Sequence, residues 1–220
     1  MKKNQTIFAR WNELQKIMQD IPVIKDIFLK CEKRYVMKYI INDIPKKFWL
    51  EGKMLDIGAG DRALENLLRQ KGFQGTYKSL DIDQTIDRDF KDSSEIREKF
   101  DIICMLELIE HLELDEGIKY FELAKKLLNN NGYLYISTPN IFHPTYFWKD
   151  PTHIQHYPIG FLYGILKLLG FHNIELYRII ETDPRRLSIY KYFKSKIRFK
   201  IWRILGFERA VRIIVKCQQQ

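Results

Sequence analysis

The amino-acid sequence predicts an α/β fold in which a mostly parallel β-sheet is covered by helices on both faces. Short apolar runs rich in β-branched residues alternate along the chain with longer segments of helical periodicity. The runs are continuously apolar, which is typical of strands buried on both faces. The clearest predicted strands are 53–57, 100–106 and 133–138, and the clearest helices are 62–71, 114–128 and 158–169.

The other elements have weaker patterns. Apolar residues recur at helical spacing through residues 5–42, with Pro22 interrupting them, so we expect one or two leading helices. We therefore divide the chain into an N-terminal helical cap, 1–45, and an α/β domain, 46–220. Further strands are predicted at 76–83, weakly near 86–90, at 172–180 and at 210–217.

Length and composition limit the class of protein. A chain of 220 residues is long enough for one substantial domain but too short for a nucleotide-binding domain plus an independent substrate domain. Cys31, Cys104 and Cys217 are far apart, so we expect buried or incidental thiols in a reducing compartment. No signal-peptide core or membrane-span pattern is present. We expect a cytoplasmic protein, either free or peripheral at the inner face of a membrane.

The net charge of +9 is concentrated at the end of the chain. Residues 185–220 contain eleven basic residues against one acid, Glu208, whereas the first 184 residues are nearly neutral. We interpret 184–207 as a basic amphipathic helix of the kind that binds anionic lipid. Its apolar stripe comprises Tyr190, Phe193, Ile197, Ile201 and Ile204, and its basic flanks comprise Lys191, Lys194, Lys196, Arg198, Lys200 and Arg203.

Two other interpretations of this helix remain open. The stripe could pack on the sheet and leave its lysines in solvent, or the basic flanks could bind RNA. The aromatic residues align with the apolar stripe and do not form a stacking platform, which disfavours nucleic acid.

A glycine turn follows the first clear strand. Gly58 to Ala63 fits the spacing G-x-G-x-x-A, and Asp81 follows about twenty residues later, as in dinucleotide-binding folds. This pattern fits either NAD or S-adenosylmethionine. A pyrophosphate favours bare backbone amides at a helix N-terminus, but Asp56 and Asp61 place carboxylates there. The turn therefore favours S-adenosylmethionine, which carries positive charges and no phosphate.

Five segments in order resemble the motifs of class I S-adenosylmethionine-dependent methyltransferases, over roughly residues 45–181. They are LDIGAGD (55–61), SLDID (79–83), RDF (88–90), FDIICMLELIEHL (100–112) and NNNGYLYISTPN (129–140). The resemblance implies a Rossmann-like sheet of seven strands. It also implies that the closing strand, 210–217, is antiparallel beside the fifth, which makes 184–207 an insertion before it.

The same resemblance implies a set of cofactor-binding residues. The glycines would let the backbone approach the cofactor, and Asp81 would accept from the ribose hydroxyls. Asp56 and Glu107 would lie near the methionine portion, and Asp89 with Phe90 would flank adenine. The expected residues are Asp56, Gly58, Gly60, Asp81, Ile82, Asp89, Phe90, Leu106 and Glu107.

The long loop after the fifth motif, 139–157, predicts an acceptor site, since loops of this length in compact domains are usually functional. Its segment DPTHIQHY (150–157) resembles methyltransferases that accompany glycosyltransferases in surface-polysaccharide and glycolipid pathways. We expect methylation of a hydroxyl on a small molecule, a glycan or a lipid-linked sugar. His153, or else His111, would take the hydroxyl proton. His143 and His156 fit equally well as residues that pin the loop.

The stretch ELIEH (107–111) leaves a second mechanism open. It resembles metal-dependent methyltransferases of ubiquinone precursors and of RNA 2′-hydroxyls, in which two acids and two histidines hold a divalent ion. The candidate ligands would be Glu107, Glu110, His111 and His153. The same string occurs in relatives without metal, and we expect no metal here. A further alternative is an inactive cofactor-binding subunit, against which the intact glycine turn argues.

Overall fold

A single mixed sheet organises the chain in this computed structural model, which describes residues 7–30, 34–83, 85–182 and 189–219. The strands are β1 (Ile24–Lys30), β2 (Lys53–Ile57), β3 (Thr76–Leu80), β4 (Phe100–Leu106), β5 (Leu128–Pro139), β6 (His172–Thr182) and β7 (Arg212–Gln218). The helices are α1 (Trp11–Gln19), α2 (Tyr35–Asp43), α3 (Phe48–Glu51), α4 (Ala63–Gln70), α5 (Leu114–Leu127), α6 (Ile159–Leu168) and α7 (Ile189–Ile204).

The strand order is β1-β6-β7-β5-β4-β2-β3, and every neighbouring pair that excludes β7 is parallel. β7 runs antiparallel between β5 and β6, as the sequence predicts for the closing strand. The predicted class, a Rossmann-like and mostly parallel sheet of seven strands, is confirmed. Apolar side chains pack on both faces of this sheet. The carboxyl ends of the parallel strands therefore share one edge.

The expectation of a purely helical N-terminal segment is wrong for residues 24–30. This stretch forms β1, which pairs in parallel with β6 at the sheet edge. Ile27 and Leu29 pack on one apolar cluster, and Ile24 packs on the other, so the side chains alternate between the two faces. The helical spacing is interrupted because Pro22 follows α1, and pairing with β6 then stabilises an extended backbone.

The weak strand near 86–90 is also not formed. Within the described residues, this segment makes only an isolated bridge between Leu80 and Phe90. The Asp89 carboxylate accepts hydrogen bonds from the backbone N–H and hydroxyl of Ser79 at 3.0 and 3.1 Å. The Asp89 side chain thus accepts the hydrogen bond of a backbone N–H of β3. The seventh strand of the sheet is β1 instead.

Residues near the ends of the predicted insertion are only partly described. Residues 183–188 and Cys31 lie outside the described residues, as do the side chains of 189–196. Cys104 and Cys217 are fully buried thiols, as expected. Among the described residues, none of the helices combines the length and apolar character required to cross a lipid bilayer.

The leading helix α1 packs against α6 as part of the main core. Leu14 of α1 is fully buried. Gly164 of α6 lets the two helices approach closely, because a Cβ atom there would lie 2.6 Å from Leu14 Cδ1. The N-terminal segment is therefore integral to the α/β domain.

We expect Leu14→Ala to lower the free energy of unfolding by about 2–5 kcal/mol, since it removes a fully buried side chain and leaves a cavity. Urea denaturation measures this change. Lys16→Ala, on the exposed face of the same helix, should change the value by less than about 0.5 kcal/mol. A Leu14→Ala effect as small as that of the control would show that α1 does not stabilise the domain.

Candidate active site

The glycine turn connects β2 to α4 at the carboxyl edge of the sheet. Gly58 and Gly60 have φ values of +76° and +51°, which favour glycine over other residues. A Cβ at Gly58 would lie 2.8 Å from Leu108 Cδ1, whereas a Cβ at Gly60 would meet no atom within 4 Å. One side of the turn therefore packs against the segment after β4, and the other side borders open space into which a ligand can fit.

Asp81 and Ile82 stand beside this turn. The Asp81 carboxylate accepts hydrogen bonds from the backbone N–H groups of Gly60 and Asp83, both at 2.9 Å. Each carboxylate oxygen keeps acceptor capacity for a ribose hydroxyl. The Ile82 side chain is 74% exposed and offers an apolar surface of the kind an adenine ring covers. These residues fit S-adenosylmethionine.

Asp56 is buried beneath the turn. Its carboxylate accepts a 2.6 Å hydrogen bond from the hydroxyl of Tyr77 on β3. Burial raises the pKa of Asp56 to about 7. The structure thus places Asp56 under the site as a link between neighbouring strands.

The remaining expected adenine residues hold the segment after β3. Asp89 is bound to Ser79 and forms ion pairs with Lys78 and Arg62 at 2.9 and 3.3 Å. Phe90 is partly buried against the main core. Asp89 therefore holds the segment after β3 against β3 and the start of α4 through contacts within the protein.

A charged network occupies the edge beyond β4. The last residue of β4, Leu106, is buried. Glu107 directly follows it and has a left-handed φ of +53°, which is uncommon for a residue with a Cβ. Its carboxylate accepts from Ser137 Oγ at 2.8 Å and from Arg212 Nε at 2.7 Å. Arg212 and Ser137 lie on β7 and β5, so this network joins three strands at the carboxyl edge.

Two tyrosines and a second acid complete the network around Arg212. The hydroxyls of Tyr35 and Tyr146 donate to Glu181 at 2.6 and 2.8 Å, and both contact the Arg212 guanidinium. Tyr146 belongs to the predicted acceptor loop, and Tyr35 begins α2. The network therefore fixes the loop and the N-terminal segment against the end of β4.

Three of the four proposed metal ligands come together beside this network. Ligand atoms of Glu110, His111 and His153 lie within 4.8 Å of one another. The loop is held there because the backbone N–H groups of Ile154 and Gln155 donate to the Glu110 carbonyl oxygen at 2.9 and 3.0 Å. The structure does not add Glu107 to the cluster, since Ser137 and Arg212 engage its carboxylate.

Hydrogen bonds orient the two histidines. His153 Nδ1 lies 2.8 Å from the Phe147 carbonyl oxygen, which can only accept. The proton must then be on Nδ1, and a neutral His153 presents the lone pair of Nε2. His111 Nδ1 lies 3.2 Å from the Thr152 carbonyl oxygen, and the two rings are 4.8 Å apart. Both candidate bases thus meet in one place.

Glu110 is a buried acid within this cluster. One of its oxygens accepts from Thr138 Oγ1 at 2.9 Å, and the other has no hydrogen-bond partner among the described residues. Burial, together with the nearby Glu107 carboxylate, raises the pKa of Glu110 to about 8. An acidic group with an unused oxygen therefore faces two imidazoles.

The other loop histidines have different surroundings. His143 is buried, with ring contacts to Tyr146 and Trp202 at 5.5 and 5.3 Å. Its contacts are those of a residue that pins the loop. His156 is exposed at the edge of Phe147.

Sequence reasoning missed Arg212, Tyr35 and Glu181 as site residues. Only one local signal was available, a cation inside the apolar run AVRIIVKC (210–217) that otherwise predicts a buried strand. Tyr35 and Glu181 join the site through long-range pairing, which no short motif encodes.

Comparison with known proteins identifies the class. A family model described as a methyltransferase domain matches residues 30–176, more than half of the chain. The chain belongs to this methyltransferase family, is an enzyme, and uses S-adenosylmethionine as its cofactor. No curated protein sequence matches the chain.

Solved structures show the same fold at low identity. A methyltransferase of Archaeoglobus fulgidus is 18% identical with a TM-score of 0.67, covering 86% of this chain and 95% of that one. Phosphoethanolamine N-methyltransferase 2 of Haemonchus contortus is 15% identical with a TM-score of 0.50, covering 96% and 53%. An O-methyltransferase family protein of Burkholderia thailandensis is 11% identical with a TM-score of 0.56, covering 98% and 61%. The fold thus accompanies both nitrogen and oxygen acceptors.

The raised pKa of Asp56 predicts a pH-dependent stability. Between its ordinary pKa of 3.8 and about 7, the folded state keeps a proton that the unfolded state loses, so this group lowers stability as pH rises. Asp56→Asn should remove the effect. The difference in unfolding free energy, variant minus wild type, should rise between pH 5 and pH 7 by up to about 1.4 kcal/mol per pH unit.

Urea denaturation across this pH range provides the measurement, with Asp83→Asn as the control. Asp83 is exposed, and hydrogen bonds from Thr85 lower its pKa, so its variant should show no such trend. A flat difference for Asp56→Asn would contradict the burial of a protonated carboxyl at this position.

Proposed function

We propose that this enzyme transfers the methyl group of S-adenosylmethionine to a hydroxyl oxygen on a glycan or a lipid-linked sugar. The observation that carries the proposal is the 2.8 Å contact of His153 Nδ1 with the Phe147 carbonyl oxygen, which leaves Nε2 to accept a proton beside His111 at the carboxyl edge of the sheet. This is the arrangement that a general base for a hydroxyl requires.

The chemistry makes modest demands on the protein. S-adenosylmethionine supplies an electrophilic methyl group on a sulfonium, which leaves without protonation. The residues need to align the hydroxyl oxygen with that carbon and to accept its proton on His153 Nε2. The Phe147 carbonyl oxygen, which lies 2.8 Å from Nδ1, would stabilise the resulting imidazolium by accepting from Nδ1–H.

The surroundings of His153 support this acceptor class. Phe147 packs on the His153 ring at 5.1 Å, and the neighbouring Trp148 is 67% exposed. The Trp148 ring lies 5.2 Å from that of Phe147, and an exposed indole at this position suits the apolar face of a sugar ring. The resemblance of DPTHIQHY (150–157) to methyltransferases of glycolipid pathways supports the same acceptor. A lipid-linked sugar would place the enzyme at the inner face of a membrane.

We expect His153→Ala to lower kcat by about 10²- to 10⁴-fold, since it removes the proton acceptor. Calorimetric titration should show an unchanged affinity for S-adenosylhomocysteine. His156→Ala is the matched control in the same loop and should retain kcat within about threefold. Equal activities for wild type and His153→Ala would exclude this role of His153.

A second mechanism is favoured by one observation, the unused buried oxygen of Glu110. A divalent ion held by Glu110, His111 and His153 would satisfy this oxygen and lower the pKa of the acceptor hydroxyl. In that case His153 would serve as a ligand instead of a base. The residues present fit such an ion, with two imidazoles and one carboxylate.

The two mechanisms differ in whether the protein binds metal. If the ion is required, calorimetry should detect Mn²⁺ or Zn²⁺ binding that Glu110→Gln weakens by at least about tenfold. Glu113→Gln, an exposed acid nearby, should bind metal as wild type does. Failure of the wild-type protein to bind either ion would leave the metal-free mechanism.

A further inference from the structure

The outward face of α7 is an exposed apolar surface. Ile197, Ile201, Ile204 and Leu205 are each at least half exposed, and Phe207 after the helix is 40% exposed. The first four lie on one stripe, at the i, i+4 and i+7 spacing plus one neighbour. The sequence predicts this stripe, and the structure places its described part in solvent.

The opposite face of α7 anchors the helix to the enzyme. Phe199 and Trp202 contact each other at 5.4 Å, and Trp202 contacts His143 of the acceptor loop at 5.3 Å. After the helix, the Glu208 N–H donates to the Phe142 carbonyl oxygen at 2.8 Å. The described part of the apolar stripe is exposed and does not pack on the sheet, whereas Trp202 on the opposite face contacts the acceptor loop.

Basic residues of α7 lie beside the exposed stripe, on the side that faces the sheet edge. Lys200, Arg203 and Arg209 line a groove of about 920 Å³ between α7 and the edge of the sheet. None of these three residues forms an ion pair with a described carboxylate, whereas Arg178 in the same groove pairs with Asp26 and Glu208 at 2.8 and 3.1 Å. Lys200 and Arg203 therefore offer positive charge without a described carboxylate partner on the same helix as the apolar stripe, and Arg209 lies over the Phe199 ring at 4.0 Å.

We propose that α7 and this groove dock the enzyme on anionic phospholipid, with the isoleucine stripe in the interfacial region and the three cations on lipid phosphates. Exposed aliphatic side chains beside unpaired cations match the chemistry of an anionic bilayer surface. A second copy of this chain would bring the same cations together and is disfavoured by repulsion. RNA is disfavoured because Phe199 and Trp202, the aromatic residues suited to stacking, face the protein.

The position of α7 beside the acceptor loop would connect lipid binding with the reaction. Trp202 links α7 to His143, and the same loop carries His153, so a docked helix would hold the acceptor loop close to the lipid headgroups. This consequence rests on the proposed lipid-linked acceptor. Binding to lipid itself does not, because it is measured without any acceptor.

Co-sedimentation with vesicles tests the proposal on the full chain. The wild type should sediment with phosphatidylcholine vesicles containing about 30 mol% phosphatidylglycerol at low ionic strength, and not with phosphatidylcholine alone. Lys200→Glu/Arg203→Glu should lower the partition coefficient at least about tenfold. Ile197→Ser/Ile201→Ser/Ile204→Ser should lower the partition coefficient by a similar factor, because these side chains supply the part of the binding that salt does not screen.

The matched control is Lys71→Glu/Lys119→Glu, which makes the same charge change on exposed sites elsewhere and should retain binding within about twofold. Unchanged affinity for S-adenosylhomocysteine verifies that each variant is folded. The proposal is overturned if the wild type does not sediment with anionic vesicles. It is also overturned if the control variant loses as much binding as Lys200→Glu/Arg203→Glu. It is also overturned if the serine variant instead abolishes a dimer seen by sedimentation velocity, or if single-stranded RNA competes fully with the vesicles.

Discussion

The ion pair between Arg212 and Glu107 is the interaction on which the active-site edge depends. Arg212 begins the antiparallel strand β7, and Glu107 follows the inner strand β4 in a left-handed conformation. Such a conformation is retained only where its surroundings enforce it. Arg212 also lies 3.7 Å from Glu181, so its loss would leave two acids without their shared cation. Glu110, whose pKa is already raised, lies beside Glu107. Without Arg212, the negative charge of Glu107 would be less compensated.

The antiparallel direction of β7 explains why the acceptor loop and α7 meet. A strand inserted in this direction must begin at the edge where its parallel neighbours end, so the segment before it returns along the carboxyl edge. That segment contains α7, and the edge already holds the glycine turn and the His111–His153 pair. The candidate cofactor turn, the proposed proton acceptor and the proposed lipid surface are thus brought to one side of the molecule by a single feature of topology.

Local patterns predicted much of this arrangement. Continuous apolar runs predicted the bounds of β2 and β4, and the glycine turn with Asp81 indicated S-adenosylmethionine as the cofactor. Features that depend on distant partners were not predictable in this way. β1 is extended because β6 pairs with it, and Arg212 becomes a site residue because strand insertion aligns it with Glu107. The cluster at His153 was predicted from a family resemblance, and three of its four proposed metal ligands lie together in the structure.

Transfer of a tritiated methyl group from S-adenosylmethionine to a cell extract would identify the acceptor and test the role of His153. The extract would be separated into lipid, polysaccharide, RNA and small-molecule fractions, with His153→Ala as the comparison. We expect label in a sugar-containing lipid or polysaccharide fraction, stable to mild alkali as a methyl ether is, and absent with the variant. Label confined to RNA, or label in glycans that is equally abundant with His153→Ala, would contradict it.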